Sequence, residues 1–151
     1  MVVNSKPTLP PTYLFVSIAS MVLLHFLIPV VEIAGYPWNM LGLIPLTAGI
    51  VLNLLADAAF KKVQTTVKPF AKSTALIVTG VFRISRHPMY LGMCLILLGI
   101  GILMGTVTPM IVIPIFCVLM ERIFIQTEEA MLAEQFGEQW TTYKTKVRKW
   151  I

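Results

Sequence analysis

Gly80-Val81-Phe82-Arg83-Ile84-Ser85-Arg86-His87-Pro88-Met89-Tyr90-Leu91-Gly92 leads from a polar loop directly into an apolar stretch that ends near Met104. Pro88 suits the first turn of a helix, where its missing N–H costs nothing. The proline in turn holds His87 extended. The apolar stretch beyond Pro88 reads as a membrane-spanning helix. Polar groups at the edge of a bilayer are costly unless solvated or paired. Two arginines, a histidine and a tyrosine clustered at the mouth of a span are therefore a functional hint.

Composition extends this reading to the whole chain. Of 151 residues, 57% are hydrophobic and 13% charged, whereas a soluble domain carries about 25% charged residues. A span takes about 20 apolar residues, so the chain has room for about four and little else. The predicted fold is an all-α integral membrane domain over 1–151. A polar tail at 1–11 is followed by spans at about 13–31, 38–60, 88–104 and 109–125 and a C-terminal segment at 126–151. Pro114 is expected to kink the fourth span. The tail lacks the basic start and small-residue cleavage site of a signal peptide.

Charge sets the expected orientation. Lys61, Lys62, Lys68, Lys72, Arg83 and Arg86 lie in the loop before the third span. Arg122, Lys144, Lys146, Arg148 and Lys149 lie at or beyond the end of the fourth, and Lys6 is in the tail. The tight turns around Gly35-Tyr36-Pro37 and Gly105-Thr106-Val107 hold no Lys or Arg. Four spans put every positive charge on one side, which the positive-inside rule makes cytosolic. Both termini and the long loop then face the cytosol, across the plasma (inner) membrane if the cell is prokaryotic. The net charge of +5 follows from this topology and does not call for nucleic acid.

The start of the third span points unpaired N–H groups and a positive dipole end at the cytosolic rim, which suits a carboxylate or phosphate. Arg83 and Arg86 add to that field, and Tyr90 lies about one turn further on. The same residues also suit plain topology, with arginines at the cytosolic edge and an interfacial tyrosine. After the fourth span, Thr127-Glu128-Glu129 offers two adjacent carboxylates, or a capped helix start. Leu132, Phe136, Trp140 and Tyr143 have near-helical spacing and read as a stripe resting on the bilayer, with Gly137 interrupting the helix. Asn53 and Asp57 share a face of the second span, where they line an acceptor cavity or a solvated rim. His25, Cys94 and Cys117 read as packing residues, and no metal site is expected.

Taken together, Thr65-Thr66-Val67-Lys68-Pro69, Leu76-Ile77-Val78-Thr79-Gly80, Arg86-His87-Pro88-Met89-Tyr90-Leu91-Gly92, Gly99-Ile100-Gly101 and Glu128-Glu129 with Phe136-Gly137 and Tyr143 resemble a known family. It is the membrane methyltransferases related to isoprenylcysteine carboxyl methyltransferase and phospholipid N-methyltransferase. The resemblance implies S-adenosylmethionine (SAM) as methyl donor, leaving as S-adenosylhomocysteine. The cofactor site would lie at the cytosolic face, built from the loop before the third helix and the C-terminal segment. The implied cofactor-binding residues are Leu76, Ile77, Phe82, Arg86, His87, Pro88, Met89, Tyr90, Gly99, Gly101, Glu128 and Glu129. Two positions depart from the family pattern. Thr74 stands near a position often held by histidine. Phe124 or Ile125 stands where the carboxyl methyltransferase has a substrate-facing arginine, with Arg122 the nearest basic residue.

The expected activity is SAM-dependent methyl transfer to a lipid-like or small hydrophobic acceptor, a carboxylate, amine or thiol entering from the bilayer. His87, Tyr90 and Glu129 are the candidate catalytic bases, and Asn53, Asp57 and Arg122 the candidate substrate contacts. The rival reading is a non-enzymatic membrane protein, an assembly factor or transport subunit that keeps the scaffold. The sequence leaves room for an oligomer.

Overall fold

The structure is a computed structural model and describes residues 9–63 and 74–151. Lys6, Thr65-Thr66-Val67-Lys68-Pro69 and Lys72 lie outside the described residues. All regular structure among the described residues is helical. Helix α1 covers Pro10–Leu27. A 3₁₀ turn at Trp38–Gly42 leads into α2, Leu43–Val63. Helix α3 covers Pro88–Met104. A second 3₁₀ turn at Thr108–Ile111 leads into α4, Val112–Met120. A π-helical turn at Glu121–Ile125 then joins α4 to α5, Gln126–Lys146.

Three of these helical stretches are long and apolar enough to cross a membrane: Pro10–Leu27, Trp38–Val63 and Thr108–Lys146. Helix α3 is apolar and shorter, at 17 residues. The outer surface is that of a membrane protein, with Phe26 75% exposed and Ile44 68% exposed. The fourth apolar stretch and the C-terminal segment form one continuous helical run rather than two elements, and Thr127 makes no cap. Pro114, the expected kink, lies in the first turn of α4. The departures from α geometry come later, at the π turn and at Gly137 (φ 49°).

The two tight turns meet at one end of the bundle. Glu32 and Thr106 form an antiparallel bridge. The Ile33 N–H donates to Gly105 O at 2.7 Å, and the Val107 N–H to Val31 O at 3.0 Å. Gly105, at φ 71°, closes α3 in the left-handed region, which glycine enters without the steric cost a Cβ brings. His25 meets the Thr106 hydroxyl at 2.9 Å, as a packing residue should. The Arg86-His87-Pro88 start of α3 is at the opposite end of the same helix.

Small residues bring α2 and α3 together. A Cβ added at Gly49 would lie 2.5 Å from Gly92 O, and one at Gly99 2.6 Å from the Leu46 backbone. Without a hydrophobic drive in lipid, such close backbone packing is what holds helices together. The other side of α3 packs on α1, α4 and the π turn through a core of Met21, Leu97, Phe116, Met120 and Phe124. There Cys94 and Cys117 put their sulfurs 3.2 Å apart, both as free thiols. Treating the detergent-purified protein with copper–phenanthroline should therefore join them, each thiol giving up one hydrogen to the oxidant. Intact mass and loss of maleimide labelling read this out. Two thiols that stay free would contradict the packing of α3 on α4.

Candidate active site

The loop before α3 is shaped by a few residues. Gly80, at φ 63°, starts a 3₁₀ turn over Gly80–Arg83. Phe82 is buried in that turn, edge-on to Phe60 of α2 at 5.5 Å. It packs with Ile77 and Ala56 in a small core. Next, the Ser85 hydroxyl donates to Lys149 O at 2.9 Å and accepts the His87 N–H at 3.1 Å. Pro88 then begins α3 with His87 as its cap.

This start of α3 faces the acidic pair. The Tyr90 hydroxyl donates to Glu128 Oε1 at 2.6 Å. The His87 ring lies between the two acids, with Nε2 3.3 Å from Glu129 Oε1 and Nδ1 3.7 Å from Glu128 Oε2. Arg86 Nη2 pairs with Glu129 Oε1 at 3.0 Å. The Arg86 guanidinium lies over Trp140, 5.5 Å from the ring centre. Both acids are beyond the apolar stretch of 108–125. Burial holds the Glu128 carboxyl above the usual carboxylate range, outweighing the Tyr90 hydroxyl and the His87 ring. Burial also pushes Glu129 up, but the His87 hydrogen bond and the charges of Arg86, His87 and Lys149 prevail and hold it low. The two neighbouring acids are thus set apart in acidity by their surroundings.

The C-terminal segment closes the cluster from the other side. Past Gly137 the helix carries Trp140 and Tyr143 inward, where both are buried. These two therefore do not rest on the bilayer as the helical spacing suggested. The bend at Gly137 redirects them, so that the Tyr143 hydroxyl donates to Phe82 O at 2.6 Å. The chain then returns as a strap, with the Arg86 N–H donating to Arg148 O at 3.1 Å. Lys149 Nζ reaches Glu121 Oε1 at 2.6 Å and lies 3.9 Å from Glu129 Oε2.

Arg86, His87, Tyr90, Glu128 and Glu129 are thus brought together, with Pro88 setting the helix start. Phe82 and Ile77 support the loop, half-buried Leu76 lies beside them in sequence, and half-buried Met89 packs on the same small core. Gly99 and Gly101 are elsewhere. Gly99 faces Gly42 and Leu46 of the α2 segment, and Gly101 faces Met110 and Met21, so both serve helix contact. Asn53 donates to Gly49 O at 2.9 Å, and Asp57 pairs with Lys61 at 2.6 Å. Arg122 is exposed on the π turn. Ser85, Trp140, Tyr143, Lys149 and Glu121 join the site without having been singled out for it. Glu121, an acid inside an apolar stretch, did carry a signal of its own.

Two kinds of group in the cluster are left without partners among the described residues. Arg86 Nε and Nη1 are buried donors with no acceptor, and Glu121 Oε2 is a buried acceptor with no donor. Spare donors beside two carboxylates suit a ligand carrying both a carboxylate and a cationic group.

Comparison with known proteins bears on the fold and the family. The structure is similar to that of the eukaryotic intramembrane Ras methyltransferase, isoprenylcysteine carboxyl methyltransferase, with a TM-score of 0.69 and 26% identity. That match covers 99% of this chain and 54% of the other, so this chain spans about half the length of that enzyme. An uncharacterized protein of Haemophilus influenzae is 35% identical over 63 residues, covering 42% of this chain and all of the relative. A family model described as phospholipid methyltransferase matches residues 38–139, which take in α2, α3, the π turn and the acidic pair. With the family's model running across both halves of the Arg86–Glu129 cluster, this multi-pass membrane protein belongs to the phospholipid methyltransferase family.

Proposed function

We propose that the protein is a SAM-dependent methyltransferase that acts on an acceptor drawn from the bilayer. The observation that carries this reading is Arg86, a buried guanidinium with one nitrogen on Glu129 and two donors unspent. Those donors suit the carboxylate of the cofactor's amino-acid end, and Glu128 and Glu129 suit its ammonium or ribose. When bound, SAM supplies an electrophilic methyl group on a sulfonium.

The chain's own part is to bind, orient and exclude water. Stacking on Trp140 and pairing with Glu129 restrict the Arg86 guanidinium. Tyr90 fixes Glu128 through a 2.6 Å hydrogen bond, and Phe124 stacks on the Tyr90 ring at 6.2 Å. Positioning of this kind supplies much of the rate in a displacement between two bound reactants. Tyr90 spends its proton on Glu128 and Glu129 is held weakly basic, which leaves His87, set between the two acids, as the group placed to accept a proton from an acceptor that must lose one. By the charge partition, the site faces the cytosol, where a soluble cofactor can reach it.

Calorimetry with S-adenosylhomocysteine on detergent-purified protein tests the reading. The wild type should bind. His87→Ala and Glu128→Ala should each weaken binding by about tenfold or more, the factor that ~1.4 kcal/mol represents. A wild type that keeps its fold and does not bind would favour the non-enzymatic alternative.

A further inference from the structure

Helix α3 meets the fourth helical run along one seam. At its mouth, His87 and Tyr90 contact Glu129 and Glu128. One level deeper, Phe124 stacks on the Tyr90 ring at 6.2 Å. Deeper again, Cys94 lies one turn beyond Tyr90, with its sulfur 3.2 Å from that of Cys117. The cofactor cluster uses the first two levels and leaves the thiol pair without a role. The pair lies about 9 Å along α3 from Pro88, at ~1.5 Å per residue.

The surroundings of the pair select its chemistry. Helices α3 and α4 carry no charged residue, and both cysteines are half-buried free thiols. Among the described residues no third His, Cys, Asp or Glu joins them, so they lack the ligand set of a tetrahedral metal. A disulfide reagent from the aqueous phase works through the thiolate, and an isolated charge in an apolar medium is costly. A quinone dissolved in the bilayer avoids that cost, because it takes up protons together with electrons.

We infer that Cys94 and Cys117 form a redox-modification site for a membrane quinone, and that their disulfide loosens the hold on the cofactor one turn away. Two S–H bonds break and one S–S bond forms. The two carbonyl oxygens of the quinone gain the two hydrogens, and it leaves as a hydroquinone. The effect on the cofactor rests on the methyltransferase reading above. A disulfide holds its sulfurs about 2.05 Å apart, so the seam must close by ~1 Å where the thiols now touch. Met93, Leu97, Phe116 and Met120 are buried in the same core, and close-packed interiors transmit strain. The next contact up the seam is Tyr90, set between Phe124 and Glu128.

The test places the full chain in phosphatidylcholine nanodiscs and adds decylubiquinone, with glutathione disulfide as the water-soluble control. The quinone should leave the protein two hydrogens lighter and closed to maleimide, and glutathione disulfide should leave both thiols free. Quinone-treated wild type should bind S-adenosylhomocysteine about tenfold more weakly than untreated protein. Cys94→Ala combined with Cys117→Ala should bind like the untreated wild type, with or without the quinone. Thiols that stay free under the quinone overturn the proposal, as does equal oxidation by glutathione disulfide. A disulfide that leaves S-adenosylhomocysteine affinity unchanged overturns the coupling to the site. If the double variant fails to fold, Cys117→Ser, which breaks the pair with little change in size, takes its place. A wild type that binds no S-adenosylhomocysteine before treatment faults the methyltransferase reading, while the change in mass still decides the quinone site.

Discussion

Arg86→Met should destabilise the protein by about 3 kcal/mol, the lower end of the cost of breaking a buried ion pair from one side. Its side chain is 6% exposed, and that of its partner Glu129 is 12% exposed. The loss falls at the lower end because Glu129 keeps His87 at 3.3 Å and Lys149 at 3.9 Å. Thermal unfolding in detergent reads the effect. Arg86→Met combined with Glu129→Gln should recover part of the loss, because no uncompensated charge then remains. Arg86→Lys should keep the charge but not the flat fork over Trp140, since an ammonium lacks the planar shape and paired donors of a guanidinium. That variant should fold and bind S-adenosylhomocysteine poorly. The pair also sets an acid limit. The folded state holds Glu129 below the usual carboxylate range. Its contribution is therefore fully present above the ordinary carboxylate pKa and is lost as pH falls through the lowered folded value. In Arg86→Met the folded value lies closer to the ordinary one, so that contribution should be smaller and its loss complete at a higher pH. An Arg86→Met protein with wild-type unfolding and an unchanged acid limit would contradict this account of the cluster.

Gly49→Val should have an effect of similar size on the fold and a larger one on function. The first added carbon would meet Gly92 O at 2.5 Å and Ile96 N at 2.9 Å. These are backbone atoms of α3, which cannot swing aside as a side-chain tip can. Overpacking of this kind costs about 1–3 kcal/mol and sometimes more. Helix α3 would have to shift as a body, taking His87 and Tyr90 with it, and a misplacement of about 1 Å can cost on the order of a hundredfold in rate. Gly35→Ala is the control, since a Cβ there meets nothing within 4 Å. Gly49→Val is expected to lower the unfolding temperature and abolish S-adenosylhomocysteine binding, with Gly35→Ala matching the wild type in both. Equal behaviour of the two variants would argue against close α2–α3 contact.

The membrane class was legible because it depends on composition and on a solvent. With 13% charged residues, the chain cannot cover itself for water, and long apolar runs have one stable conformation in lipid. The start of α3 was equally legible, because proline fixes its own backbone and that of the residue before it. The acidic pair could be named as a partner for Arg86 and His87 because few polar residues in this chain compete for the role. Gly99 and Gly101 misled for a physical reason. A glycine admits close approach of any neighbour, and in this bundle the neighbours are Leu46 and Met110.

The sequence by itself determined the solvent, the helices and the two polar segments that the fold brings together. These follow from short-range rules of burial, proline geometry and hydrophobic length. The tertiary structure alone decided which acid meets which base. Glu128 goes to Tyr90, Glu129 to Arg86, and Glu121 to a lysine 28 residues away. It also turned Trp140 and Tyr143 from the bilayer to the loop. Those pairings depend on a π turn and on a bend at Gly137, small rotations that redirect every later side chain.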